Sequence, residues 1–312
     1  MKLSEAIDLY IHRKRAIGAN LHGPETVLRS FHHHYGNLDL HRIRTSQITE
    51  FLNGRRRVRS RTRQWKHGAL KLFFAYWCLR GRLRRSPVPR TTPKPPQDFI
   101  PYIYSRAELQ RLLKNLPQCQ RLSACRITAV TFRALLLVLY ATGMRLGEAL
   151  GLRVADVDLA QNLIRIRETK FYKTRLVPIG DDVHLVIENY LASPKRKTRA
   201  DSPLFQSKAR DRIKAALAER SFRRLRNMCG IRRPGTFSFQ PRIHDLRHTF
   251  AVHRVTEWYR QGADVQKLLP ALSTYLGHVS LESTQRYLTV TPELLRQANN
   301  RFEQYAKEGH ND

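Results

Sequence analysis

The stretch "YLGHVSLESTQRYL", residues 275–288, sets His278 and Tyr287 nine positions apart behind a Leu-Gly pair. The two side chains could serve one reacting atom. On a single continuous helix, however, they would lie roughly 13–14 Å apart along the axis and point to opposite sides. A break in the backbone is therefore required. Gly277 stands just before His278, Val279 is a weak helix former, and Ser280 is a good N-cap for a new helix carrying Tyr287. Gly147 and Gly277 are the glycines expected to shape the surroundings.

Three further groups carry chemical potential. In "RIHDLRHTFAVHRV", read as a helix, Ile243, Leu246 and Phe250 gather on one face. His244 and Arg247, at spacing i, i+3, project together from another, an arrangement that suits a phosphate. Asp245 could pair with a neighbouring basic group. In "ATGMRLGEALGL", Arg145 follows a turn permitted by Gly143 and is held against apolar sequence; the plainer reading is an arginine satisfied by Glu148. Lys170 and Lys173 fall between "LIRIRE" and "TRLVPIG", two strands of an expected β-hairpin. Hairpin lysines are ordinarily solvated, and neither one is diagnostic alone.

These groups need elements to hold them. "SRAELQRLLKNL" opens with a capping box, Ser105 and Glu108, and continues in a stripe of Leu109, Leu112, Leu113 and Leu116. "ITAVTFRALLLVLYATG" is apolar on most sides and predicts a core helix. "DDVHLVIENYLA" predicts another, and from residue 207 the reading is almost wholly helical. In "RSRTRQWKHGALKLFFAYWCL" the expected apolar side is Trp65, Leu72, Phe73 and Tyr76. Between these halves, "SPVPRTTPKPPQDFIP", residues 86–101, has six prolines in sixteen positions and reads as an extended linker.

Composition limits the partner. The chain has 312 residues, enough for two domains with real cores, and 57 Lys plus Arg against 25 Asp plus Glu leave a net charge of +32. A polyanion is the expected ligand, nucleic acid above all. The run "GRRRVRSRTR" places Arg55, Arg56, Arg57, Arg59, Arg61 and Arg63 within nine residues; a solvated charge run is the plain reading, but in a folded helical domain this density is better neutralised by phosphates. Cys78, Cys119, Cys125 and Cys229 form no CxxC pair and suit a reducing cytoplasm. His32, His33 and His34 have no adjoining ligand cluster and read as a solvated turn. No metal or cofactor site is expected, and no secretory core or membrane-length stretch is visible.

In this order and spacing, Arg145, a hairpin lysine, His244-x-x-Arg247, His278 and Tyr287 resemble the tyrosine recombinases of the phage integrase family. The matching segments are "ATGMRLGEALGLRVADVDL", "TKFYKTRLVPI", "HDLRHTFAVH" and "LGHVSLESTQRYL". They span about residues 99–295, with a weaker likeness before them, and the form of the last resembles recombinases of transposons and similar mobile elements. Between Gly262 and His278 the chain runs some four residues longer than many relatives and includes Pro270.

The resemblance implies a mainly α protein. It would have an N-terminal helical core-binding (SAM-like) domain at 1–85, a linker at 86–98, and an α-rich catalytic domain with a small β-hairpin and a C-terminal helix at 99–312. It implies that Tyr287 attacks a DNA phosphodiester to form a 3′-phosphotyrosine, with a Holliday junction between two rounds of strand exchange. Arg145 and Arg247 would clamp the non-bridging oxygens. His244 and His278 would add hydrogen bonds, His244 being the candidate general base. Lys170 would protonate the leaving 5′-oxygen, with Lys173 the fallback and otherwise a DNA contact. The implied partners are double-stranded DNA, a homo-tetramer on two duplexes built from free monomers or dimers, and companion recombinases, in the bacterial cytoplasm at the nucleoid. In the tail, Leu294, Leu295, Ala298, Phe302 and Tyr305 make an apolar stripe; the plainer reading packs it on its own domain, while relatives commonly dock such a helix on a neighbouring subunit. The competing readings are a type IB-like topoisomerase of the same chemistry and a non-catalytic DNA-binding accessory.

Overall fold

The structure, a computed structural model, describes residues 1–19, 21–54, 60–90, 100–121, 125–167, 174–193, 199–235, 239–277 and 282–285. The chain divides into two compact units, Met1–Phe99 and Ile100–Asp312. Among the described residues no helix is long and apolar enough to cross a membrane.

The first unit is built from α1 (Leu3–Ala16), α2 (His22–Tyr35), α3 (Thr45–Asn53) and α4 (Ser60–Leu79). On α1 the buried residues Leu3, Ala6, Ile7, Tyr10 and Ile11 recur every three or four positions, the stripe an amphipathic helix needs. The face of α4 differs from expectation. Leu70, Phe73, Phe74 and Trp77 are buried, whereas Trp65 and Leu72 are 48% and 65% exposed. The helix carries large apolar groups on several sides, and the set repeating at three and four residues is the one that meets α2 and α3. His32–His34 form the last turn of α2, not a free turn. Val88 is buried in this core and His67 Nε2 lies 2.7 Å from the Pro89 carbonyl, so the proline-rich stretch starts attached to the first unit.

The second unit begins with α5 (Arg106–Gln120), whose capping box is present as read: Ser105 Oγ accepts from the Glu108 amide and the Glu108 carboxylate accepts from the Ser105 amide. α6 (Ala129–Thr142) is buried on nearly every side, through Phe132, Leu135, Leu136, Val138 and Leu139. It is followed by α7 (Leu146–Gly151) and a three-stranded antiparallel sheet. The strands are β1 (Val157–Asp158), β2 (Leu163–Ile166) and β3 (Arg175–Pro178). Ile164 pairs with Val177, both buried, which sets the register of the hairpin. Next come α8 (Asp181–Leu191), α9 (Ala215–Met228), α10 (Asp245–Arg260), α11 (Val265–Leu276) and α12 (Glu282–Gln285).

The helix α10 is sandwiched. Ile243 and Leu246 at its start join the main core, while Phe250, Ala251, Val252 and Val255 pack with Val265, Leu269, Leu272 and Leu276. α11 continues through Pro270, the sixth of its twelve residues, and closes at Gly277. It thus stops at a left-handed glycine just before His278, and the break expected around Val279–Ser280 lies outside the described residues.

Candidate active site

Two left-handed glycines build the site. Gly143 ends α6 at φ +60°, and a Cβ there would lie 2.5 Å from Phe250 Cδ1 and 2.7 Å from Leu276 Cδ2. Only glycine meets both the backbone and the space requirement, and its absence of side chain lets the end of α6 touch α10 and α11. Gly277 ends α11 at φ +67°, where a Cβ would lie 2.7 Å from Arg175 Nη1. Gly147, expected to matter, faces open space; Gly143 takes that part.

Helix C-termini leave carbonyls without partners and carry partial negative charge. Here arginines satisfy them. Arg247 is 3% exposed and donates through Nη1 to the Gly143 carbonyl at 2.8 Å and through Nη2 to the Leu276 carbonyl at 2.9 Å. Arg145, the N-cap residue of α7, donates through Nη2 to the Gly277 carbonyl at 2.8 Å. Both guanidinium groups therefore converge on the end of α11, directly before His278. Arg247 sits deeper than its helical spacing implied, because α10 is covered on both faces. Arg145 keeps a third of its side chain open to solvent.

Glu148 links Arg145 to the sheet. Its Oε1 accepts from Arg145 Nη1 at 2.7 Å and its Oε2 from the Arg145 amide at 2.9 Å. Arg175, first residue of β3, donates to the same two oxygens at 3.0 and 2.8 Å. Burial raises the Glu148 carboxyl, but the hydrogen bonds from Arg175 and Arg145 outweigh it and bring the pKa down to about 2. The pairing of Arg145 with Glu148 foreseen as the plain alternative is real, and it coexists with the convergence on Arg247.

His244 precedes α10 as its N-cap residue, half-buried, with its ring edge-on to His248 at 5.1 Å. Burial, then the positive charges of Arg247 and Arg242, push its pKa below the usual histidine value. It is a neutral imidazole at pH 7 and can accept a proton. Asp245, 1% exposed, is tied to Arg242 through that residue's amide and Nη2. Beside His244 opens a cavity of about 610 Å³ whose lining includes Arg220, Arg223, Arg226 and Arg242, a setting for a polyanion.

Lys170, Lys173, His278, Tyr287, Arg55, Arg56, Arg57 and Arg59 lie outside the described residues, as does the side chain of Arg61. Arg63 is half-buried near the start of α4. Tyr275, a rival phenol, stacks on Phe250 and donates to the Pro178 carbonyl, and burial pushes its pKa up to about 12. It is a packing residue. Sequence reasoning missed Arg175; the only signal was an arginine opening "RLVPIG", one strand from a hairpin of interest.

The sequence profile described as "Phage integrase family" matches residues 105–293. A protein of Sinorhizobium fredii named for an inferred integrase/recombinase role is 35% identical over 305 residues, covering 96% of each chain. The tyrosine recombinase XerC of Syntrophus aciditrophicus is 30% identical, over 82% of this chain and 78% of its own. Among solved structures, the Tn1549 transposon integrase in complex with a circular intermediate DNA superposes with a TM-score of 0.67 at 17% identity, over 95% of this chain and 99% of that one. A lambda integrase dimer bound to a core site gives 0.66 at 17%, over 93% and 78%. At such identity these two establish the likeness of fold.

Proposed function

This chain belongs to the phage integrase family and is a tyrosine recombinase, a site-specific recombination enzyme, and from that premise we propose how it cuts and rejoins DNA. The Tyr287 hydroxyl attacks the scissile phosphorus and its proton passes to neutral His244. The phosphorus–5′-oxygen bond breaks, Lys170 (or Lys173) supplies the proton to that oxygen, and a 3′-phosphotyrosine remains. Tyrosine has a reference pKa of about 10, so on the order of a thousandth is ionised at neutral pH and the attack needs this help. Arg145 and Arg247 neutralise the charge that builds on the non-bridging oxygens, with His278 a further donor. The observation that carries the reading is the seating of both arginines on consecutive carbonyls at the end of α11.

The wider proposal follows from charge and relatives. Residues 1–85 act as the core-binding domain, with Arg55, Arg56, Arg57, Arg59, Arg61 and Arg63 on phosphates, 86–98 as linker and 99–312 as the catalytic domain. Binding then falls steeply with salt. Recombination proceeds through a Holliday junction in a homo-tetramer and serves a mobile element; a lambda integrase tetramer bound to a Holliday junction shares the fold, with a TM-score of 0.64 at 17% identity over 90% of this chain and 78% of that one. The tail 291–312 docks on a neighbouring copy. Its four acids and three basic residues leave it near neutral in a chain of +32. A cavity of about 870 Å³ walled by Phe250, Leu272, Tyr275 and Trp258 and rimmed by Arg106 and Arg254 supports this seat.

The test is incubation with a nicked duplex library and sequencing of the DNA trapped on protein. Trapping that vanishes in Tyr287→Phe, with non-covalent binding kept, supports the reading. Relaxation of plasmid lacking any special sequence would favour a topoisomerase, and a parent chain that traps nothing would favour an accessory role.

A further inference from the structure

Arg175 contacts both groups that define Arg145. Its two Nη atoms hold the two oxygens of Glu148, and its guanidinium fills the space beside Gly277 that any side chain there would occupy. Its side chain is 15% exposed and Glu148 is 9% exposed, so this pairing is sheltered from water. The remaining nitrogen, Nε, is buried with no hydrogen-bond partner among the described residues, so the group is placed for its two forked bonds.

Charge shows what the arrangement does. Arg145 paired with Glu148 alone is a neutral couple, a poor anion clamp. Placing a second guanidinium on the same carboxylate leaves one net positive charge among the three groups. Arg145 is the more exposed cation of the two, 34% against 15%, so that charge faces outward through it. The separation matters because charge–charge energies grow as water is excluded.

We propose that Arg175 is a positioning residue: by sharing both oxygens of Glu148 it offsets the carboxylate that would otherwise compensate Arg145, leaving the positive field of that guanidinium directed at the DNA phosphate. It also locks β3, and with it the hairpin that carries Lys170 and Lys173 in the sequence, to the end of α11. The proposal rests on the reading of Arg145 as a phosphate clamp.

Single-turnover cleavage of a nicked duplex, with non-covalent DNA affinity and thermal melting measured alongside, tests it. Arg175→Gln is expected to slow cleavage by about ten- to a hundred-fold, less than loss of a direct clamp donor, with DNA affinity unchanged within about twofold. Adding Glu148→Gln to that variant removes the uncancelled carboxylate and recovers at least about half of the loss on a logarithmic scale, which a merely structural role would not do. Should Arg175→Gln fail to fold, Arg175→Lys is read instead. It keeps the cation and should cleave within about tenfold of the parent. Parental cleavage in Arg175→Gln, a double variant slower than the single one, or a folded Lys variant slowed by a hundred-fold each overturns the proposal. A parent chain that does not cleave removes the recombinase mechanism and this inference with it, whereas an active parent with an active Arg175→Gln removes only the inference.

Discussion

Arg247 and Arg145 donate to the carbonyls of consecutive residues, Leu276 at 2.9 Å and Gly277 at 2.8 Å. The C-terminal end of one helix thereby seats two cations that lie 102 positions apart in the chain. Helix-end carbonyls attract positive charge, so the pair is assembled before any DNA arrives. A preassembled clamp needs little reorganisation when charge builds on the phosphate.

The two arginines should separate in mutagenesis. Arg247→Ala strips partners from two buried helix-end carbonyls, and each unsatisfied group costs roughly 1–3 kcal/mol. A lowered melting temperature should accompany a loss of about 10²–10³ in cleavage rate. Arg145→Ala should lose comparable activity with a smaller change in melting, because Arg175 still satisfies Glu148 and the site is partly open. Equal destabilisation of the two variants would contradict the difference in burial.

Gly143→Ala should destabilise the second unit through two effects. The left-handed backbone costs an L-residue about 1–2 kcal/mol, and the new methyl meets Phe250 and Leu276. Chemical denaturation should show a loss of about 2–4 kcal/mol in total. Gly147→Ala, with open space around it, should be near neutral by the same measurement.

Glu148 makes stability depend on acid pH in a definite direction. Its carboxyl titrates at about 2 in the fold against an ordinary value of 4.5, so its contribution is present above about pH 4.5 and is lost as pH falls toward 2. Denaturation midpoints measured from pH 5 down to 3 should fall more steeply in the parent than in Glu148→Gln. Parallel slopes would remove the charged pairings as the source.

The acid limb of the cleavage profile should belong to His244. Burial and the charges of Arg247 and Arg242 lower its pKa, so it keeps its base form further into acid than an ordinary histidine. The acid decline in single-turnover rate should fall at lower pH than a free imidazole of about 6.5 would give, and His244→Gln should lower the plateau and erase that limb. A limb above 7 would assign the titration to another group.

Truncation after Val290 keeps Tyr287 while removing the apolar stripe of the tail. DNA binding by single copies should persist, and higher complexes on paired sites should be lost in gel-shift or sedimentation measurements. Unchanged assembly would place the contact elsewhere.

Much of this protein could be read directly from the order of its residues. Local signals suffice where the physics is local. The Ser105–Glu108 capping box, the apolar helix ending at Gly143, the β2–β3 pairing and the helix end at Gly277 each follow from neighbours within a few positions. Net charge named a polyanion without any fold. Spacing could not report depth. His244 and Arg247 lie three positions apart, yet one borders a basic cavity and the other is sealed beneath α11, because α10 is covered on two faces by segments distant in sequence. Nor could it find Arg175, whose role exists only because β3, α7 and the end of α11 meet around one carboxylate. Chain order determines which groups are available. Which charge cancels which is decided by distance and exclusion of water, and those belong to the tertiary structure alone.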